Sequence, residues 1–263
     1  MNPLVLAGLL LLAVPVRAEK TPEDSLRAAQ GAFDSMIRDA RARPVPAAPP
    51  AASAAYSPRF DSDVPAALRA QFLSDMSFVG GLSAAGATPL HRAILGRVGG
   101  DDYFRYLDRR VKSLGVSDGN ARPGVVAYVS PISDSSKMVI GRGYTTLNLP
   151  QIYRVVVVFH EARHTEDANA NWRHANCPVP FRDADGKDIV GIFSGTLLAG
   201  LPACDDTAIG AYGVGLLMFR NIEKFCSNCS GKVLMDAALY GEDTYKRIVG
   251  PAARAKLHAD LYQ

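Results

Sequence analysis

The chain has 263 residues, with 29 basic against 26 acidic side chains and a formal net charge of +3. Charges this close to balance give no electrostatic case for nucleic acid or another acidic polymer as a partner. With 48 % hydrophobic residues the chain can bury a substantial core, and apart from the N-terminal apolar run nothing approaches the length of a membrane span.

Residues 4–16 form that run. It is too short to cross a bilayer, and Val16-Arg17-Ala18 places small residues where a signal peptidase needs them. Residues 1–18 are therefore expected to be a signal peptide, although Met1-Asn2-Pro3 carries no basic side chain. The protein is then secreted or periplasmic and has no membrane span after cleavage. Losing Arg17 lowers the charge from +3 to +2. Residues 19–59 read as a helix followed by a linker. Thr21 and Pro22 open an amphipathic helix over 21–42, with Leu26, Phe33, Met36 and Ile37 on its apolar stripe, and 43–58 are rich in Pro and Ala.

A main domain over 60–263 follows. Asp63-Val64-Pro65 opens a helix that ends at Gly80-Gly81, and a short helix follows Thr88-Pro89. A third is predicted over 101–114, because Phe104, Leu107, Val111 and Leu114 recur at helical spacing before Gly115. Residues 96–100 are Gly-rich but lack the Lys-Ser/Thr of a phosphate-binding loop, so they read as a turn. Residues 125–129 and 138–147 read as two antiparallel strands joined by a turn over 130–136. Beyond residue 164, 179–194 is loop-like with at most one strand. A long helix is predicted over 205–225, with shorter ones over 232–249 and 251–262.

Between the strands and that loop stands His160-Glu161-Ala162-Arg163-His164, directly after the apolar run 155–159. That run could be a β-strand, since β-branched residues favour strands. Pro150 suits the first turn of a helix instead, and a helix from there puts Tyr153, Val157, His160 and His164 on one face. Imidazoles at i and i+4 can share one Zn²⁺ at about 2.0–2.1 Å. Glu161, rotated about 100° from His160, can take a proton from a metal-activated water without binding the metal.

At this H-E-x-x-H motif the chain resembles the zincin metallopeptidases. The resemblance implies a secreted zinc-dependent peptidase with Zn²⁺ on His160 and His164 and Glu161 as general base. It also implies an α+β fold: a mostly helical domain with a small antiparallel sheet beside the motif helix. In such enzymes an edge strand lines the cleft and a peptide or protein substrate adds to it as a further strand.

A catalytic zinc needs a third protein ligand and an open position. The metzincin pattern is broken, because Asp167 and Ala170 stand where it needs Gly and His. His174 and Asp205 remain. His174 is favoured because three of the five histidines fall within fifteen residues, a spacing that loosely resembles the SprT-like proteins. Asp205 is either the alternative ligand or a helix N-cap, and Tyr212, seven residues on, is a candidate oxyanion donor. Asp167 either orients His164 or is solvated, Arg163 and Glu166 form an i,i+3 surface pair, and His91 and His258 are structural. The four cysteines are expected to pair as Cys177 with Cys204 and Cys226 with Cys229; a half zinc knuckle or a redox pair at Cys226 and Cys229 is the competing reading. The competing function is an exported zinc-binding or interaction protein with a structural metal site, expected if His174 and Asp205 both close the coordination sphere.

Overall fold

The computed structural model describes residues 56–117, 125–130 and 133–262. The expected signal peptide, the helix over 21–42 and linker residues 43–55 lie outside the described residues. In chain order the elements are β1 (Arg59–Phe60), α1 (Ala66–Gly81), α2 (Pro89–Leu95), α3 (Gly100–Asp108), β2 (Ser113–Val116), β3 (Ala127–Ser130), β4 (Asp134–Ile140), α4 (Gly143–Thr146) and α5 (Gln151–His164). A 3₁₀ turn (Ala168–Trp172) follows, then β5 (Ala175–Asn176), β6 (Pro202–Cys204), α6 (Ala211–Phe225), α7 (Gly231–Lys246) and α8 (Pro251–Leu261). The fold is α+β, as expected.

Three expectations need correction. The third helix stops at Asp108, and Leu114 belongs to β2. That segment is inserted between β1 and β4, parallel to both, and Ser113, Leu114 and Gly115 are all buried. An apolar segment with a ladder on each side satisfies more backbone as a strand than as a helix end. The sheet is consequently mixed, in the order β1-β2-β4-β3, with the expected antiparallel pair β3–β4 at one side. The second strand of that pair runs over Asp134–Ile140, starting inside the predicted turn and ending before Gly141. Finally, the helix predicted from 205 begins at Ala211. Asp205 instead pairs its backbone with the segment after α7, its N–H donating to Arg247 O at 2.8 Å and its carbonyl accepting from Val249 N at 2.8 Å.

The motif helix α5 is the centre of the core. Val155, Val158, Phe159 and Ala162 are fully buried, and Tyr103 and Tyr106 flank Phe159 at ring distances of 5.1 and 5.6 Å. The opening turn of α5 is tied to α1 by a buried network. Asp75 accepts from Tyr144 Oη at 2.7 Å and from Arg154 Nε and Nη2 at 2.8 and 2.7 Å, so the buried carboxylate is fully compensated. On the opposite side α6 comes close because of Gly215, where an added Cβ would lie 3.0 Å from Val156 Cγ1. Tyr56 is buried too, its hydroxyl donating to Val111 O at 2.7 Å, so the domain includes residues read as linker.

Both expected disulfides are present. The Cys226–Cys229 turn is structural: its Asn228 accepts from Ser83 N at 3.0 Å and donates to Gly81 O at 2.6 Å, pinning the end of α1. No described helix is long and apolar enough to cross a membrane.

Candidate metal centre

His160 and His164 occupy the last two turns of α5, and the chain then reverses through an unusual segment. Asn169, Ala170, Asn171 and Trp172 all have φ between +52° and +57°, a left-handed turn that asparagine tolerates better than most residues. The turn aims the Asn171 carbonyl back at His164 Nδ1, 2.9 Å away, and brings His174 up on the far side. Trp172 Nε1 donates to Glu166 at 2.8 Å, and Glu166 also accepts from Arg163 and Arg110. The expected Arg163–Glu166 pair is therefore part of a half-buried network bracing the turn.

The hydrogen bonds fix the histidine tautomers. A carbonyl can only accept, so His164 carries its proton on Nδ1. His174 Nδ1 lies 2.9 Å from Asp205 Oδ1, so there too Nδ1 is the donor. The lone pairs of both Nε2 atoms are thereby turned inward. His174 Nε2 is 3.2 Å from His160 Nε2 and 3.2 Å from His164 Nε2. Nitrogens bound to one tetrahedral zinc at 2.0–2.1 Å lie about 3.3 Å apart. The three histidines could hold a metal ion, and their donor set fits one. Burial, followed by mutual repulsion, holds His160 well below its ordinary pKa and lowers His164 to about 4. At neutral pH both rings are in the neutral, ligating form.

Asp205 is the orienting partner of His174, and it does a second thing. Its other oxygen, Oδ2, accepts from Tyr212 N at 2.8 Å and Gly213 N at 3.3 Å, capping the first turn of α6. Of the two readings of this residue, third ligand and helix cap, the cap is what Oδ2 does, while Oδ1 meets His174 Nδ1 and is not among the donor atoms that converge. Asp167, by contrast, is exposed, and among the described residues its carboxylate accepts from Asn171 Nδ2 at 3.4 Å and not from His164. His91 is structural: Nδ1 meets Gly96 O at 2.9 Å and Nε2 meets Tyr103 Oη at 3.0 Å. His258 stacks on Tyr262.

Glu161 is buried beside the histidines, with Oε1 4.0 Å from His160 Nε2. Desolvation pushes its pKa up to about 8, opposed by a backbone hydrogen bond from Val129 of β3. The Tyr212 ring lies 4.6 Å from both the His160 and His174 rings, and its hydroxyl accepts from Arg247 Nη1 at 2.9 Å. All these groups open into a cleft of about 770 Å³, walled by β3 on one side and by residues 191–198 on the other. Sequence reasoning missed Asn171 and Arg247. The Asn-Ala-Asn run was a usable signal for left-handed backbone, whereas nothing local marks Arg247. No protein-family model, curated protein or solved structure matches this chain.

Proposed function

We propose that this protein is a zinc-dependent peptidase of an oxidising, extracytoplasmic compartment. The observation that carries the reading is the convergence of three imidazole nitrogens beside a buried glutamate, at the wall of a cleft. Three histidine donors with both Asp205 oxygens engaged elsewhere favour an open coordination position over the closed site of a structural zinc protein. Bound zinc would supply Lewis acidity at the scissile carbonyl and lower the pKa of a water.

The remaining work falls to the chain. Glu161 takes the proton of the attacking water and delivers it to the leaving amine. Its carboxylate form is the one needed, and a dication at the histidines would oppose the upward push of burial. Arg247 can only donate to the Tyr212 hydroxyl, so that hydroxyl keeps its own proton for an oxyanion. β3 sits at the edge of its sheet and lines the cleft, where an extended peptide can pair with it. Two disulfides suit an exported protein.

Metal analysis run beside a casein and peptide-library digest tests the proposal. Wild type should carry about one zinc per chain and cleave. Glu161→Gln should keep the zinc and lose about 10²–10⁴-fold in turnover. Full zinc occupancy in His160→Ala would remove the metal centre, and equal inertness of wild type and Glu161→Gln would transfer the protein to the structural-zinc reading.

A further inference from the structure

Arg247 stands at the end of α7, where the Asp205 backbone pairs with its carbonyl. It is only 9 % exposed. Comparably placed Arg110, Arg154, Arg163 and Arg220 each lie against a carboxylate. Among the described residues no carboxylate lies within 4.0 Å of the Arg247 guanidinium. Asp243, one turn back on α7, acts on it at longer range. Both of its hydrogen bonds, to Tyr212 Oη at 2.9 Å and Ala203 O at 3.4 Å, leave from Nη1. Nη2 faces the Gly191 wall, 3.9 Å from where a Cβ at that glycine would sit.

A sequestered cation with no carboxylate in contact, and Asp243 only at longer range, is better satisfied when an anion arrives to pair with it directly. Its surroundings select the arrival. The cleft is otherwise largely apolar, with Val126, Val129, Phe193 and Phe219 on its walls. Among the described residues Glu161 is the one acidic group lining it, while Arg173 adds a second, exposed cation. The guanidinium lies 4.9 Å from the Tyr212 ring, which itself touches His160 and His174. An anion on Nε and Nη2 would stand one or two residues from the scissile bond, at about 3.3–3.6 Å per residue. We propose that Arg247 receives a substrate carboxylate, so that the enzyme acts on peptides carrying a negative charge next to the bond it cuts. The fork of donors suits a carboxylate from an Asp or Glu side chain or from the peptide's C-terminus. This inference rests on the peptidase reading.

Four peptides of one sequence test it, differing only in Glu or Gln beside the cleavage site and in a free or amidated C-terminus. Wild type should favour one carboxylate form by about 10- to 100-fold in kcat/KM, chiefly through KM. The Glu–Gln contrast identifies a side-chain carboxylate, and the acid–amide contrast a terminal one. In Arg247→Met the preference should collapse towards unity, while any effect on Tyr212 lowers all four rates together. Arg247→Lys, which keeps the charge without the fork, should fall between. Equal cleavage of all four by wild type overturns the inference and leaves the peptidase reading intact, whether or not either variant folds. If zinc-loaded wild type cleaves none of them and neither casein nor the peptide library, the peptidase reading fails. Calorimetric binding of the same peptides then decides the matter for Arg247, and equal affinity for carboxylate and amide forms overturns it.

Discussion

Asp205 shows how one side chain serves the candidate metal site and the fold together. One oxygen holds the His174 ring and the other holds the first amides of α6. In Asp205→Asn a single oxygen and an NH₂ group replace two acceptors, so one of these bonds is lost. Losing a carboxylate behind a ligating histidine typically weakens metal binding by 10–100-fold, and that drop should appear in a chelator competition. Zinc affinity unchanged within the error of the titration would show that His174 does not depend on this partner. His91 makes a separate prediction, away from the metal. Burial lowers its pKa from 6.5 to about 4, against weaker opposition from its bond to Gly96 and from Asp260. Between those values the unfolded chain binds the proton and the folded chain does not. Stability from this group is therefore whole above pH 6.5 and declines as the pH falls towards 4, by up to about 3 kcal/mol. Urea unfolding at pH 7 and pH 4.5 should show a smaller acid loss in His91→Gln than in wild type.

Two short elements position the candidate ligands, and each is sensitive at one residue. The left-handed turn contains Ala170 at φ +53°, where a Cβ costs about 1–2 kcal/mol. Ala170→Gly removes that cost at an exposed site, partly offset by the entropy of a freer unfolded chain. The variant should be unchanged or up to about 1 kcal/mol more stable, with zinc still bound. A clear loss of stability would mean that the turn is not left-handed in solution. Gly210 has the opposite character. An added Cβ would lie 2.4 Å from Asp205 Oδ2, so Gly210→Ala must displace the carboxylate that both caps α6 and orients His174. Thermal unfolding and zinc titration should both register the change.

The Cys177–Cys204 disulfide closes a loop with a sequence separation of 27 and ties the two halves of the site. Cys177 lies three residues after His174, Cys204 immediately precedes Asp205, and β5 pairs with β6 between them. Cross-linking a loop of this length removes unfolded-state entropy worth roughly 3–4 kcal/mol. Replacing both cysteines with alanine should lower the urea midpoint accordingly and weaken zinc binding as well, because His174 and Asp205 lose their common anchor. A variant with reduced stability and undiminished zinc affinity would limit the bond to a role in folding.

Local pattern was enough to read the motif helix, α1, the terminal helices, both cysteine pairs and the candidacy of His174, because helical periodicity, capping residues and histidine spacing act over a few residues. Long-range pairing was not legible. Ser113–Val116 has a helix-like apolar spacing, yet β1 and β4 offer it hydrogen bonds on both sides, and the ladder wins. Asp205 sits before an apolar helical pattern, yet its backbone is claimed by the segment after α7. Arg247 carries no local mark at all, and only the closure of α7 against the cleft wall sets its guanidinium beside Tyr212. The sequence by itself determined which residues could ligate, cap and cross-link. Which carboxylate faces which imidazole, and that Arg247 meets a tyrosine hydroxyl and a carbonyl where a carboxylate could stand, was decided by tertiary structure, because those outcomes depend on backbone groups far apart in the chain competing for the same hydrogen bonds.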